Sequence, residues 1–286
     1  MGGARIHLQL TSAMPTHQHR GCELFYEIRG EGLPVVFIQG VGLHGRGWSP
    51  QIDVLSARYR CLSFDNRGMA QSQPVGETLT ASLMAADVVA LLDAAGIEAA
   101  HLVGHSMGGV IAVETALAHR SRVSSLALLN TVARGADSTS PRKEMLVPGL
   151  RTMVGTKRMR RLAFLEMIMP AAALASRDRD ALAEELAPIF GHDLGERPPV
   201  VMAQLAALAN YDATARLPEL SGLRTLVVTA RHDIVTPPAA GRALAGGIPG
   251  ARHVEIEDAA HGFPIQHVAR ANALLEEHLE SAASVG

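Results

Sequence analysis

Three residues have the types and the order to do chemistry together: Ser106 in Gly104-His105-Ser106-Met107-Gly108, Asp233 in Arg231-His232-Asp233, and His261 in Ala259-Ala260-His261-Gly262. A serine hydroxyl is a poor nucleophile until a base removes its proton, and an imidazole base needs a carboxylate to orient it. Serine, acid and histidine in that order therefore suit attack on a carbonyl, with charge developing on its oxygen.

Each of the three lies just past a short apolar run. His101-Leu102-Val103 leads into the Ser106 pentapeptide, and Val110 to His119 continues as a helix former. That is the G-x-S-x-G pattern in its required context of strand, sharp turn and helix. Residues without side chains let strand and helix approach closely, and the turn presents Ser106 at the positive end of the helix. Asp233 follows the run LRTLVVTA and His261 follows His253 to Ile256. Singly, the aspartate reads as a turn residue and the histidine as one of thirteen in loops. Three strand-end positions in this order favour a shared site.

The elements that position them alternate between buried strands and helices, which predicts an α/β fold with a mostly parallel sheet covered on both faces. After an N-terminal hairpin with Leu24 to Arg29 as its clearer strand, strands are expected at Pro34–Gln39, Arg60–Phe64, Ala99–Val103, Val123–Leu129, Arg224–Thr229 and His253–Ile256. Between them, Thr78–Ala95 carries Leu79, Leu83, Ala86, Val89 and Leu92 at helical spacing, with Gly96 as its stop. From about Arg134 to Asp212 the periodicity is helical, with loop chemistry around Pro141, Pro148, Pro170 and Pro198 and no strand. This divides the chain into a core domain, 1–133 with 213–286, and a helical cap or lid, 134–212, placed where such sheets carry their sites.

The sequence resembles the serine hydrolases of the alpha/beta-hydrolase superfamily, from about residue 24 to the C-terminus. Gly104 to Gly108 resembles the nucleophile elbow, and Phe64-Asp65-Asn66-Arg67-Gly68-Met69-Ala70-Gln71-Ser72 the D-x-R-G-x-G-x-S loop. Asp233 with Pro237 and Pro238, then His261, resemble the acid and base segments. The resemblance implies Ser106 as nucleophile, His261 as general base and then acid, and Asp233 as the orienting carboxylate. It also implies an oxyanion hole from the backbone amides of Met107 and of Val41, in the loop Gln39-Gly40-Val41-Gly42. Two positions depart from the pattern: Gln39 stands where many members have histidine, and Ala70 where glycine is usual. His105 is expected to pack, and His44 and Arg46 either to touch substrate or to hold their loop. A serine rather than an aspartate nucleophile argues against the epoxide-hydrolase and haloalkane-dehalogenase branches.

Composition removes other classes. The chain has 286 residues, 48% of them apolar, and a formal charge of −2, so no whole-chain field favours nucleic acid or a membrane surface. No apolar run is long enough to span a bilayer, and Cys22 and Cys61 make no disulfide framework, which fits a soluble cytoplasmic protein. No metal or other cofactor is expected: His17 and His19 have no companion ligands, and Gly40-x-Gly42 does not spell a dinucleotide fingerprint.

The cap carries the substrate signal. Met145, Met153, Met159, Met167, Met169 and Met202 suit a permissive apolar pocket, with Met145, Met167 and Met169 as candidate substrate contacts, although methionine at helical spacing usually packs. Arg142, Lys143, Arg151, Lys157, Arg158, Arg160 and Arg161 form a basic front that would either attract an anionic substrate or be balanced by Asp178, Asp180, Glu184 and Glu185. The expected function is hydrolysis of a small-molecule carboxylic ester through an acyl-enzyme on Ser106. The alternatives are an enol-lactonase-type enzyme acting on a small anionic lactone and a low-turnover ligand-binding relative. A complete triad argues against the last.

Overall fold

The computed structural model describes residues 15–283. Eight strands form one sheet: β1 (Thr16–His19), β2 (Cys22–Arg29), β3 (Leu33–Ile38), β4 (Tyr59–Phe64), β5 (Ala100–His105), β6 (Val123–Leu129), β7 (Thr225–Ala230) and β8 (Arg252–Ile256). Their order is β1-β2-β4-β3-β5-β6-β7-β8, with β1 and β2 antiparallel and the remainder parallel. The central strands are buried along their whole length, because helices cover both faces. The helices are α1 (Ser49–Leu55), α2 (Ala81–Ala94), α3 (Met107–Ala118), α4 (Ala136–Thr139), α5 (Lys143–Arg151), α6 (Lys157–Ile168), α7 (Ala171–Ala175), α8 (Arg179–Phe190), α9 (Val201–Ala209), α10 (Pro238–Gly247), α11 (Phe263–Gln266) and α12 (Val268–Ala283).

One apolar cluster, including Leu83, Leu92, Val110 and Leu244, packs α2, α3 and α10 on one sheet face. A second, including Phe37, Trp48, Ile52 and Leu275, packs α1 and α12 on the other. Cys22 and Cys61 are buried one in each cluster, and burial pushes the Cys61 thiol up to about 12.

The expected strands lie within one to two residues of their positions. The α2 face differs: Leu83, Met84, Val88, Leu91 and Leu92 are buried, whereas Ala86 and Val89 are only partly so. An alanine- and valine-rich helix offers two overlapping apolar stripes, and packing against α3 and the sheet selects one. Gly96 ends this helix at φ +65°, with the Ile97 amide donating to the Leu92 carbonyl at 2.8 Å.

Between β6 and β7 lie α4 to α9, of which α6, α7 and α8 build a separate cluster around Leu165, Leu174, Leu186 and Phe190, while α9 packs on the main core through Ala207 and Leu208. Arg134 and Asp212, at the two ends of this segment, form an isolated antiparallel bridge. Pro148, expected in a loop, lies inside α5 instead. Its missing N–H breaks one hydrogen bond in a helix that is nine residues long. Among the described residues, no helix is long and apolar enough to cross a membrane.

Candidate active site

The sheet order brings the site together. The carboxyl ends of β5, β6, β7 and β8 lie side by side, and they deliver Ser106, Asn130, Asp233 and His261 in turn. Ser106 follows β5 with φ +55° and ψ −123°, a backbone that L-residues avoid. The surroundings impose it. A Cβ on Gly104 would fall 2.4 Å from the Gly108 carbonyl oxygen, and one on Gly108 would fall 2.0 Å from that of Ile38. The Ser106 amide donates to the Leu129 carbonyl at 3.0 Å, and Thr131 Oγ1 donates to the Ser106 carbonyl at 2.6 Å.

Asp233 and His261 meet directly, His261 Nδ1 donating to Asp233 Oδ2 at 2.8 Å. Four further donors reach the same carboxylate: Asn130 Nδ2 at 2.7 Å, Thr236 Oγ1 at 2.6 Å, and the Val235 and Thr236 amides at 2.8 Å each. Burial pushes the Asp233 carboxyl up, but attraction to His261 and these hydrogen bonds outweigh it and hold the group below the usual carboxylate range. With Nδ1 committed to Asp233, the free nitrogen of His261 is Nε2, and both Ser106 and His261 line one cavity. Among the described residues Ser106 Oγ makes no hydrogen bond to His261, and a contact of that kind commonly tightens only when substrate is bound.

His105 sits beside Ser106 and is buried like it. Its Nε2 donates to the His261 main-chain carbonyl at 2.8 Å, and its ring lies 4.8 Å from the His261 ring, centroid to centroid. Burial, with repulsion from His261, pulls the imidazole down to about 3, so it is neutral at ordinary pH and holds His261 rather than acting as a base.

Met107 follows Ser106 in the chain, and Val41 lines the same cavity as Ser106, next to Gly40, which packs against the Ser106 side chain. Among the described residues neither amide makes a hydrogen bond, while their neighbours are engaged: Gly40 N donates to Gln39 Oε1 at 3.1 Å and Gly42 N to Gln204 Oε1 at 2.8 Å. Gln39, which departs from the family's histidine, thus steadies the loop. Ala70, the other departure, lies at φ +38°, a backbone in which glycine is ordinarily preferred. Arg67 of the same motif is fully buried and pairs with Asp87 through two nitrogens, and Asp65 accepts the amides of Gly45 and Gln71. Both are struts of the loop. His19 Nδ1 joins that cluster at 2.7 Å from Asp87 Oδ1.

The cavity holds about 590 Å³ and is lined mainly by apolar side chains from the segment between β6 and β7. Met145 and Met167 line it together with Met153, Met202, Phe164 and Leu205. Met169 does not; it is buried in that segment's own cluster, because the chain turns after α6 and points it inward. His44 and Arg46 border a second, polar cavity on the far side of the loop.

Four of the seven cations of the basic front are ion-paired. Arg151 pairs with Glu166, Arg158 with Asp180, Lys157 with Glu196 and Asp193, and Arg161 with Asp193. Arg142 and Arg160 donate to backbone carbonyls. Only Asp180 of the expected acidic partners takes part; Asp178 caps α8 and Glu185 pairs with Arg177. None of these cations lines the cavity, whose charged wall residues are Glu196 and Arg197. Among the described residues no group of three or more histidine, cysteine, aspartate or glutamate side chains could hold a metal ion.

The sequence profile described as the alpha/beta hydrolase fold matches residues 34–268. A relative from Azorhizobium caulinodans, named provisionally as the carbamate hydrolase RutD, is 32% identical over 250 residues, which are 87% of this chain and 92% of that protein. The crystal structure of the enol-lactonase from Burkholderia xenovorans superposes with a TM-score of 0.78 at 28% identity, covering 93% of this chain and 100% of that one. The structure of Est816, described as an N-acyl homoserine lactone degrading enzyme, superposes with a TM-score of 0.77 at 26% identity, covering 92% and 99%.

Proposed function

The chain belongs to the alpha/beta hydrolase fold family, and on that premise we propose that this hydrolase is a serine enzyme that cleaves a carboxylic ester bond in an uncharged, apolar substrate. The observation that carries the reading is the Asp233–His261 pair opening, with Ser106 at φ +55°, into one apolar cavity.

In this mechanism His261 Nε2 takes the Ser106 proton as Oγ attacks the carbonyl carbon. The oxyanion so formed accepts the Val41 and Met107 amides. Collapse breaks the bond to the alkoxy oxygen, which leaves with the proton from His261, and the acyl group remains on Ser106. Water then gives a proton to His261 and attacks the acyl carbon, releasing the acid and restoring Ser106. Asp233 holds the ring in the required tautomer throughout. The segment 134–212 acts as the cap, roofing the cavity with Met145, Met167 and Phe164.

A second reading is supported by the likeness to the enol-lactonase and to Est816: the ester is a lactone, and its alkoxide stays tethered in the product. The mainly apolar cavity wall, in which Glu196 stands beside Arg197, favours an uncharged lactone bearing an apolar arm over a small anionic one.

The test is hydrolysis of p-nitrophenyl esters from acetate to palmitate beside neutral and anionic lactones, with the native enzyme and Ser106→Ala. Ser106-dependent turnover of neutral substrates is expected. Full activity in Ser106→Ala would refute the mechanism, and activity confined to an anionic lactone would refute the substrate class.

A further inference from the structure

The oxyanion loop is held by the segment between β6 and β7, whose helix α9 packs on the main core through Ala207 and Leu208. Gly42, next to Val41, is contacted at every backbone position by the segment between β6 and β7. Its amide donates to Oε1 of Gln204 on α9 at 2.8 Å, and its carbonyl accepts from Nε2 of His192, in the loop between α8 and α9, at 2.8 Å. Gly42 adopts φ +72°, and a Cβ there would come within 3.0 Å of Val201 Cγ2, also on α9.

The Gln204 side chain is fully buried, and its Nε2 has no hydrogen-bond partner. A buried amide with an orphaned donor is costly, so a leucine of similar size would pack there at lower cost. What leucine would lack is the acceptor for Gly42 N. His192 is equally specific: its Nδ1 lies 2.8 Å from the Asp193 carbonyl, so both ring nitrogens face carbonyl oxygens. On the other flank the loop is tied to the core, Gly40 N to Gln39 Oε1 and Asn66 Nδ2 to the Gln39 carbonyl. The Val41 amide is the unbonded donor between these two anchors.

We infer that Gln204 and His192 are positioning residues for the oxyanion hole, so that the cap sets the geometry of transition-state binding as well as roofing the substrate. The inference rests on the serine-hydrolase reading above, in which the Val41 amide serves the oxyanion. Displacement of α9 and the loop before it would release Gly42, while the Gly262 amide on the Ile168 carbonyl and Arg142 on the Ile234 and Val235 carbonyls tie the same segment to the loops of His261 and Asp233. Catalysis is thereby linked to the seating of this segment on the core.

The experiment compares the full-length enzyme with Gln204→Leu, Gln204→Glu and His192→Phe. Active sites are first titrated with a fluorophosphonate, in which Ser106 displaces fluoride. Then kcat and KM for p-nitrophenyl butyrate, and inhibition by a trifluoromethyl ketone whose serine adduct places an oxyanion in the hole, are measured per titrated site. Gln204→Leu and His192→Phe are expected to lose at least roughly tenfold in kcat and in ketone affinity together, with KM within about twofold, as befits a misplaced oxyanion donor. Gln204→Glu, which keeps an acceptor, is expected to recover most of the loss. Leu and Phe variants with unchanged kcat and ketone affinity per site overturn the inference. So does a lower melting temperature or fewer titratable sites with kcat per site unchanged, which marks a merely structural role. Failure of the native enzyme to label would overturn the serine reading itself, and the inference with it.

Discussion

His105 Nε2 donates to the His261 main-chain carbonyl at 2.8 Å, so the residue beside Ser106 holds the backbone of His261, 156 positions away. Ring and backbone of His261 are thus fixed from opposite sides, by Asp233 at Nδ1 and by His105 at the carbonyl. His105→Leu leaves that buried carbonyl without its donor. A stability loss of about 1–3 kcal/mol and a fall in kcat of roughly tenfold or more are expected, from the orphaned group and the displaced base. Urea unfolding beside steady-state kinetics measures both.

Asp233→Asn removes the charge that selects the His261 tautomer while leaving the side-chain shape. The expected loss in kcat is on the order of 10⁴ with the fold retained, by analogy with the serine-protease triad. Circular dichroism together with a pH–rate profile checks the pairing of intact structure and lost turnover.

Asn130→Ala takes one donor of five from the Asp233 carboxylate. The expected effect is smaller than that of Asp233→Asn: about 1–2 kcal/mol in stability, with a weakened hold on the carboxylate at low pH. Because the folded carboxyl lies below its ordinary value, its contribution is present at neutral pH and fades on acidification, earlier in the variant than in the parent. Unfolding midpoints between pH 7 and pH 3 would reveal the difference.

Acid should weaken the fold through a second buried group. His278 Nε2 lies 3.0 Å from Ser125 Oγ, and His101 Nδ1 lies 2.8 Å from the same oxygen. Burial first, then the nearby His101, pulls His278 down to about 4 from the ordinary 6.5. The unfolded chain therefore binds the extra proton more readily, so this stability is complete above about pH 6.5 and is lost as pH falls toward 4. At about 1.4 kcal/mol per tenfold change in proton affinity, the loss is on the order of 3 kcal/mol. A melting temperature that is flat from pH 7 to 4.5, or unaltered in its slope by His278→Leu, would contradict this.

Cavity size should govern chain-length preference. Met145→Trp and Met167→Trp add bulk to the cavity that Ser106 also lines, so kcat/KM for long acyl chains is expected to fall by roughly tenfold relative to acetate. Neutralising Lys157, Arg158, Arg160 and Arg161 together is expected to leave KM for neutral esters within about twofold, at low and at high salt, because none of these side chains lines the cavity and a neutral ester offers them no charge.

The chemistry and the order of elements are written locally. Ser106 is legible because strand and helix periodicities differ within a short window and Gly104 is required by the Gly108 backbone four residues on, although Gly108 itself is required by the Ile38 carbonyl of a neighbouring strand. Asp233 and His261 are legible because loops at strand ends carry the sites of parallel sheets. Asn130 and Thr131 carry no motif; only their place at the end of β6, between β5 and β7, marks them. The same holds for Gln204 and His192, whose shared partner Gly42 lies 162 and 150 positions away.

The α/β alternation, the candidate site residues Ser106, Asp233 and His261 and the helical character of residues 134–212 were legible in the sequence, since sterics and apolar periodicity act over a turn or a strand. Which donors surround Asp233, which methionines meet the cavity and which face inward, and which cations of the basic front are paired follow from the packed fold. Those outcomes depend on where side chains from distant segments point once the layers have packed, and neighbouring residues do not encode that direction.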